Sequence, residues 1–183
     1  MKKYISLIIS VIILISSVIA FPAGAEDETT ALEPKLTSSE AFIAILKERE
    51  GFSKYPYMDN SHWSIGYGTR CPDDKVAYYQ EHGITEEEAS AMMMSMLAGF
   101  ENAVLEFGDK YNLTFTQNQF DALVSFSYNC GTEWLTDSKG YMHQAVRDKW
   151  TGSDFLYAIC LWSRSGSEYI LMNRRMYEAN MYL

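Results

Sequence analysis

The chain has 183 residues, three cysteines and a formal charge of −9, from 24 acidic against 15 basic side chains. Nearly half of it is apolar and 14% is aromatic, which excludes a disordered chain. The acidic balance excludes nucleic acid as a partner, because neutralising phosphates takes clustered Lys and Arg.

Lys2 and Lys3 precede an apolar run from Tyr4 to Phe21 that only serines interrupt, and Ala23-Gly24-Ala25 follows. Charge, apolar run and small residues in that order predict a secretory signal peptide over residues 1–25. The run is also about the shortest that spans a bilayer, so an uncleaved anchor is the alternative reading. Cleavage removes Lys2 and Lys3 and takes the charge from −9 to −11. Residues 26–36 are polar, carry Pro34, and read as a flexible leader. Residues 37–183 are one domain's worth of chain, long enough to bury most of its apolar surface.

Thr37-Ser38-Ser39-Glu40 reads as a capping box. It opens a helix whose apolar face is Ala41, Phe42, Ile43, Ile45 and Leu46, and Gly51 is placed to end it. Glu50 is then the last helical residue. From Phe52 to Arg70 the pattern changes. Pro56 opposes helix, Tyr55, Tyr57, Trp63, Ile65 and Tyr67 favour extended backbone, and Asp59-Asn60-Ser61 reads as a turn. Gly66 and Gly68 add a bend, which completes a small antiparallel β unit.

Helices follow. Thr85-Glu86-Glu87-Glu88 is a second capping box, opening a helix to about Phe107 with Gly108 as its end. Thr116-Gln117-Asn118-Gln119 is a third, opening a helix that ends near Gly131. Shorter helices are expected over 139–150, 153–162 and 172–182. The methionines at 92–94 and 96 read as flexible core packing, and Trp134, Trp150 and Trp162 as core. The fold class is therefore α+β, a small N-terminal β lobe and a larger helical lobe with a cleft between them. Export permits a Cys130–Cys160 disulfide; the other reading takes Cys71, Cys130 and Cys160 as three small buried thiols. None has His at metal-ligand spacing, so no metal is expected.

Two carboxylates flank the start of the β unit. A helix C-terminus carries partial negative charge, and Leu46 and Phe52 are apolar, so the protonated form of Glu50 is favoured. Asp59 sits in a polar turn and is expected to stay ionised. A carboxylic acid beside a carboxylate is the pair that glycoside hydrolysis uses. By spacing alone, however, two of 24 acids are better read as solvated surface groups.

Their surroundings narrow the reading. Glu50-Gly51, Tyr57-Met58-Asp59 and Ile65-Gly66-Tyr67-Gly68-Thr69 resemble the catalytic segment of the phage-type lysozymes, the endolysins of glycoside hydrolase family 24. Gln117 to Gly131 is similar to the family's Q-x-x-F-D-A-L-V-S-F-x-F-N-x-G helix, and Asn173-Arg174-Arg175 with Glu178 to its closing R-R-x-x-E helix. The three blocks stand in the family's order and span about residue 38 to the end. The resemblance implies a lysozyme fold and cleavage of the β-1,4 bond between N-acetylmuramic acid and N-acetylglucosamine, with inversion. Glu50 becomes the general acid, Asp59 the second carboxylate, and Ser64 stands at the family's threonine, whose hydroxyl helps hold the attacking water. Trp63, Tyr67 and Asn129 become sugar contacts. Arg174 becomes either a substrate contact or the partner of Glu50 across the cleft, and His62 is read as a solvated turn residue. The implied partner is the peptidoglycan strand, met by a monomer with no cofactor and no stable membrane attachment.

Two departures stand out. The family spaces its Asp and Thr as D-x-x-G-x-x-T, whereas Asp59 and Ser64 are one residue closer and have no Gly between them. Ser also lacks the methyl that fixes the rotamer of Thr. A lytic transglycosylase, or a wall-binding module of the same fold with weakened catalysis, are the rival readings.

Overall fold

The computed structural model describes residues 35–164, 166 and 168–183. The expected signal peptide, and the leader as far as residue 34, lie outside them. Helix α1 spans Glu40–Glu50, and its start differs from expectation. Ser39, not Thr37, is the N-cap. Its hydroxyl accepts from the Phe42 N–H at 3.2 Å and donates to Asp121 Oδ2 at 2.6 Å, and its N–H donates to Asp121 Oδ1 at 3.1 Å. Glu40 is thus the first helical residue and cannot close a reciprocal box. The two bonds to a distant buried carboxylate outweigh the one local bond a box would add. At the other end Gly51 (φ 69°) donates its N–H to the Lys47 carbonyl at 3.0 Å, which leaves Glu50 as the last helical residue.

Three antiparallel strands follow in the order β1 (Ser53–Asp59), β2 (His62–Gly66) and β3 (Thr69–Arg70). The β1–β2 register shifts between Ser53 and Tyr57, and Pro56 lies there, where its missing N–H leaves no ladder bond unmade. Asn60 and Ser61 form the turn. Asn60 adopts φ 52°, which an Asn side chain tolerates, so this short turn needs no Gly. At the β2–β3 turn the Thr69 hydroxyl donates to the Ile65 carbonyl at 3.0 Å.

A helix not expected from the sequence, α2 (Val76–His82), comes next. It has no side-chain cap, so nothing in its sequence marks its start. The long helix α3 (Glu86–Tyr111) opens with both bonds of the Thr85/Glu88 capping box. It runs through Gly108 and ends instead at Asn112 (φ 51°). Gly108 serves close packing: a Cβ there would lie 3.0 Å from the Phe115 ring and 3.3 Å from the Leu113 carbonyl. Helix α4 (Gln117–Cys130) has the expected Thr116/Gln119 box and Gly131 end. Every residue from Phe120 to Ser127 is buried, so α4 is the central helix of the domain. Around it lie α5 (Glu133–Thr136), α6 (Tyr141–Arg147), α7 (Gly152–Cys160) and α8 (Met172–Tyr182). α6 and α7 are shorter than expected; Lys149 takes φ 55° between them and stops the helical run.

One core joins both lobes: Leu46 of α1, Ile65 of β2, Met93 and Leu97 of α3, and Phe120, Leu123 and Phe126 of α4 are all fully buried. Trp134 is buried, and Trp150 and Trp162 pack against this core. Cys71, Cys130 and Cys160 are free thiols. Among the described residues no helix is long and apolar enough to cross a membrane.

The β sheet is seated on α3 through Gly66, where a Cβ would come within 2.7 Å of the Ala89 methyl at φ 64°. Both strain and overlap oppose a side chain there. Gly66→Ala is expected to lower stability by about 2 kcal/mol, read as a lower midpoint in urea denaturation.

Candidate active site

Ending α1 at Glu50 puts this carboxylate where the helix gives way to the sheet. The side chain is 22% exposed, and Arg174 of α8 donates from Nη1 to Oε1 at 2.9 Å. The fold therefore makes Arg174 the partner of Glu50 rather than a free sugar-binding cation. Gly68, at φ 76° in the β2–β3 turn, faces the same carboxylate. The position of its missing Cβ is 3.7 Å from Glu50 Oε2 and 4.0 Å from the Tyr57 hydroxyl. Glu50, Gly68 and the Tyr57 phenol thus meet at one point.

The sheet register sets the opposite wall. Tyr57 pairs with Ser64, Met58 with Trp63 and Asp59 with His62. Paired residues share a face and neighbours alternate, so Tyr57, Asp59, His62 and Ser64 lie on one side and Met58 and Trp63 on the other. Asp59 is half-buried at the end of β1, its Oδ1 accepting from the Asn60 amide at 3.1 Å. The Tyr57 phenol is pushed up by burial first, then by Asp59 and by Glu50. It shares its strand face with Asp59 and meets Glu50 at Gly68.

Other expected contacts are arranged differently. Trp63 is on the face away from Asp59 and packs against the core. Tyr67 is 7% exposed; its ring lies against Phe52 at 5.6 Å and under the Lys47 ammonium at 5.3 Å, which leaves little of it for a sugar. Asn129 is exposed, but its Oδ1 accepts from Arg175 Nη2 at 2.6 Å. Ser64 is on the Asp59 face and fully buried, and its hydroxyl has no hydrogen-bond partner among the described residues.

Behind Glu50 lies a buried polar cluster that the sequence reading did not assemble. Glu178 Oε1 accepts from Arg174 Nε at 3.2 Å and from the Ser125 hydroxyl at 2.8 Å. Its Oε2 lies 3.1 Å from Arg175 Nε. Arg175 and Glu178 are both fully buried. Arg175 also donates to Cys130 Sγ at 2.7 Å and stacks on Phe126 at 4.8 Å. Tyr128 donates to the Tyr67 carbonyl at 2.9 Å, and burial followed by Glu50 holds its phenol far above the usual range, so it stays neutral. The spacing of Arg174 and Glu178, one helical turn apart, was the available sign of the pair. Tyr57 was visible as a strand residue and in the motif block that holds Asp59.

A family model described as phage lysozyme matches residues 47–178, a span that holds Glu50, Asp59, Ser64, Arg174 and Glu178. The endolysin of Bacillus phage PZA is 31% identical over 151 residues, covering 79% of this chain and 54% of that protein. The chain spans about half the length of the curated relatives it matches. Among solved structures, the endolysin from Escherichia coli phage FAHEc1 aligns with TM-score 0.65 at 26% identity, over 81% of this chain and 94% of that one. The muramidase domain of SpmX from Asticaccaulis excentricus aligns with TM-score 0.64 at 25% identity, over 80% and 97%.

Removing one member of a buried ion pair leaves the other uncompensated. Arg175→Met is expected to lower stability by about 3 kcal/mol, because it strips Glu178 of its closest guanidinium. Chemical denaturation measures it, and an unchanged midpoint would show the pair to be energetically neutral.

Proposed function

Because the chain belongs to the phage lysozyme family, we propose that it is an exported muramidase that hydrolyses the β-1,4 bond between N-acetylmuramic acid and N-acetylglucosamine. The observation that carries this reading is the meeting of Glu50, at the end of α1, with Gly68 and the Tyr57 phenol of the hairpin, on the face that Tyr57 shares with Asp59. In the proposed reaction Glu50 gives its proton to the glycosidic oxygen as that bond to the anomeric carbon breaks. A water oxygen bonds to the same carbon from the opposite face, and Asp59 takes the proton that water releases. The leaving sugar departs as an alcohol, and a reducing end with inverted configuration remains. Inversion needs the two carboxyl groups about 6.5–9.5 Å apart, so that the water fits between them.

Ser64 supports the water-holding role in one respect: its hydroxyl has an unused donor and acceptor on the Asp59 face. The short Asn60-Ser61 turn and the full burial of Ser64 also favour a second reading, a wall-binding module of weakened activity. In either case the ligand is the peptidoglycan strand, bound by a monomer without cofactor, nucleic acid or stable membrane attachment. An acidic chain meets repulsion from anionic wall polymers, which salt relieves.

A turbidity assay on purified cell walls separates these readings. The protein is expected to clear the suspension. Glu50→Gln and Asp59→Ala each lose at least about 100-fold in rate, with unchanged circular dichroism. Products with reducing ends are expected by mass spectrometry, and anhydro-muramyl ends would assign a lytic transglycosylase instead. A folded protein that clears nothing between about pH 4 and 8 leaves only the binding module, since acid–base catalysis must show within that range.

A further inference from the structure

Glu178 belongs to no glycosidase pair. It is fully buried on α8, yet its contacts lead through Arg174 to Glu50 in one step. We propose that Glu178 is a positioning residue that sets how much of the Arg174 charge Glu50 meets, and so the pH range over which Glu50 keeps the proton it donates. The inference rests on the reading of Glu50 as the acid.

Arg174 addresses the two carboxylates through different nitrogens, Nη1 to Glu50 at 2.9 Å and Nε to Glu178 at 3.2 Å. Glu178 is held from the neighbouring helix by the Ser125 hydroxyl, so the guanidinium pivots against a fixed point. Arg174 Nη2 reaches the Ser125 carbonyl at 3.5 Å, a weaker contact on the same side. The guanidinium plane is thereby aimed at Glu50.

Charge gives Glu178 its second effect. Arg174, Arg175 and ionised Glu178 together present one net positive charge behind Glu50; without the Glu178 charge they present two. Two positive charges in a site this enclosed would hold Glu50 as an anion over more of the working range, and an anion cannot donate the proton. With Glu178 ionised, the same arginine orients Glu50 while leaving the proton available. Asp59 and Tyr57 on β1, and Tyr128 on α4, also bear on this site. Burial pushes the Glu178 carboxyl up, and Arg175, Ser125 and Arg174 oppose it.

The test is a carbon-13 NMR titration of the Glu50 carboxyl in the whole chain, without substrate. In Glu178→Gln, which keeps the shape and removes the charge, the titration midpoint is expected to fall by about one pH unit. The high-pH limb of wall clearing should move down with it. Adding Arg175→Met removes one positive charge and is expected to return the midpoint toward that of the wild type, a rescue that a purely structural role would not produce. An unchanged midpoint in folded Glu178→Gln overturns the proposal, as does a fallen midpoint that the second substitution does not restore. Should Glu178→Gln fail to fold, Glu178→Asp carries the test. Its shorter carboxylate draws less on Arg174, so a smaller fall supports the proposal and no fall overturns it. The titration needs no turnover, so a protein that clears no walls would refute the hydrolase reading and leave this result intact.

Discussion

The Arg174 guanidinium joins parts of the chain that are far apart in sequence. One end of it is tied to Glu178, buried between α8 and α4; the other grips Glu50 at the last turn of α1. A buried carboxylate is tolerated only where cations and donors surround it, and here two arginines and a serine do so. That requirement fixes α8 against the central helix, and α8 in turn fixes the far end of α1. Glu50 thus owes its position to a polar core as well as to its own helix.

The sheet supplies the other half of the site through a different constraint. Its pleat assigns alternate residues to opposite faces, and the Asp59–His62 pairing sets the phase. Asp59, Tyr57 and Ser64 share one face for that reason alone. Gly66 lets the sheet approach α3, where a side chain would hold it off, and Gly68 at φ 76° turns the chain beside Glu50. Register and close approach together bring the hairpin to the end of α1.

The turn shows how the chain departs from its relatives without losing the hairpin. Asn60 takes the left-handed conformation, and the hairpin closes through Asn60 and Ser61 without a Gly. Ser64 is then drawn fully into the sheet, its hydroxyl unpaired. Asp59 remains at the rim of the site because it is the last paired residue of β1.

Much of this was legible in the sequence where the cause is local. Capping boxes at Thr85 and Thr116, the Gly51 and Gly131 ends, and the β-forming run around Asp59 each act within a few residues, and the structure has them. The motif blocks located Glu50 and Asp59. What the sequence could not decide were the positions ruled by distant partners. Ser39 replaced Thr37 as the cap because Asp121 binds it, and Gly108 proved a packing glycine because Phe115 lies over it. Trp63 and Tyr67 turned toward the core, and Arg174 was claimed by Glu50 and Glu178. A side chain's local propensity is worth tenths of a kcal/mol to about one, whereas burying it or pairing its charge is worth more. Local order was therefore written in the sequence, and the partners of the site residues were decided only when the chain closed on itself.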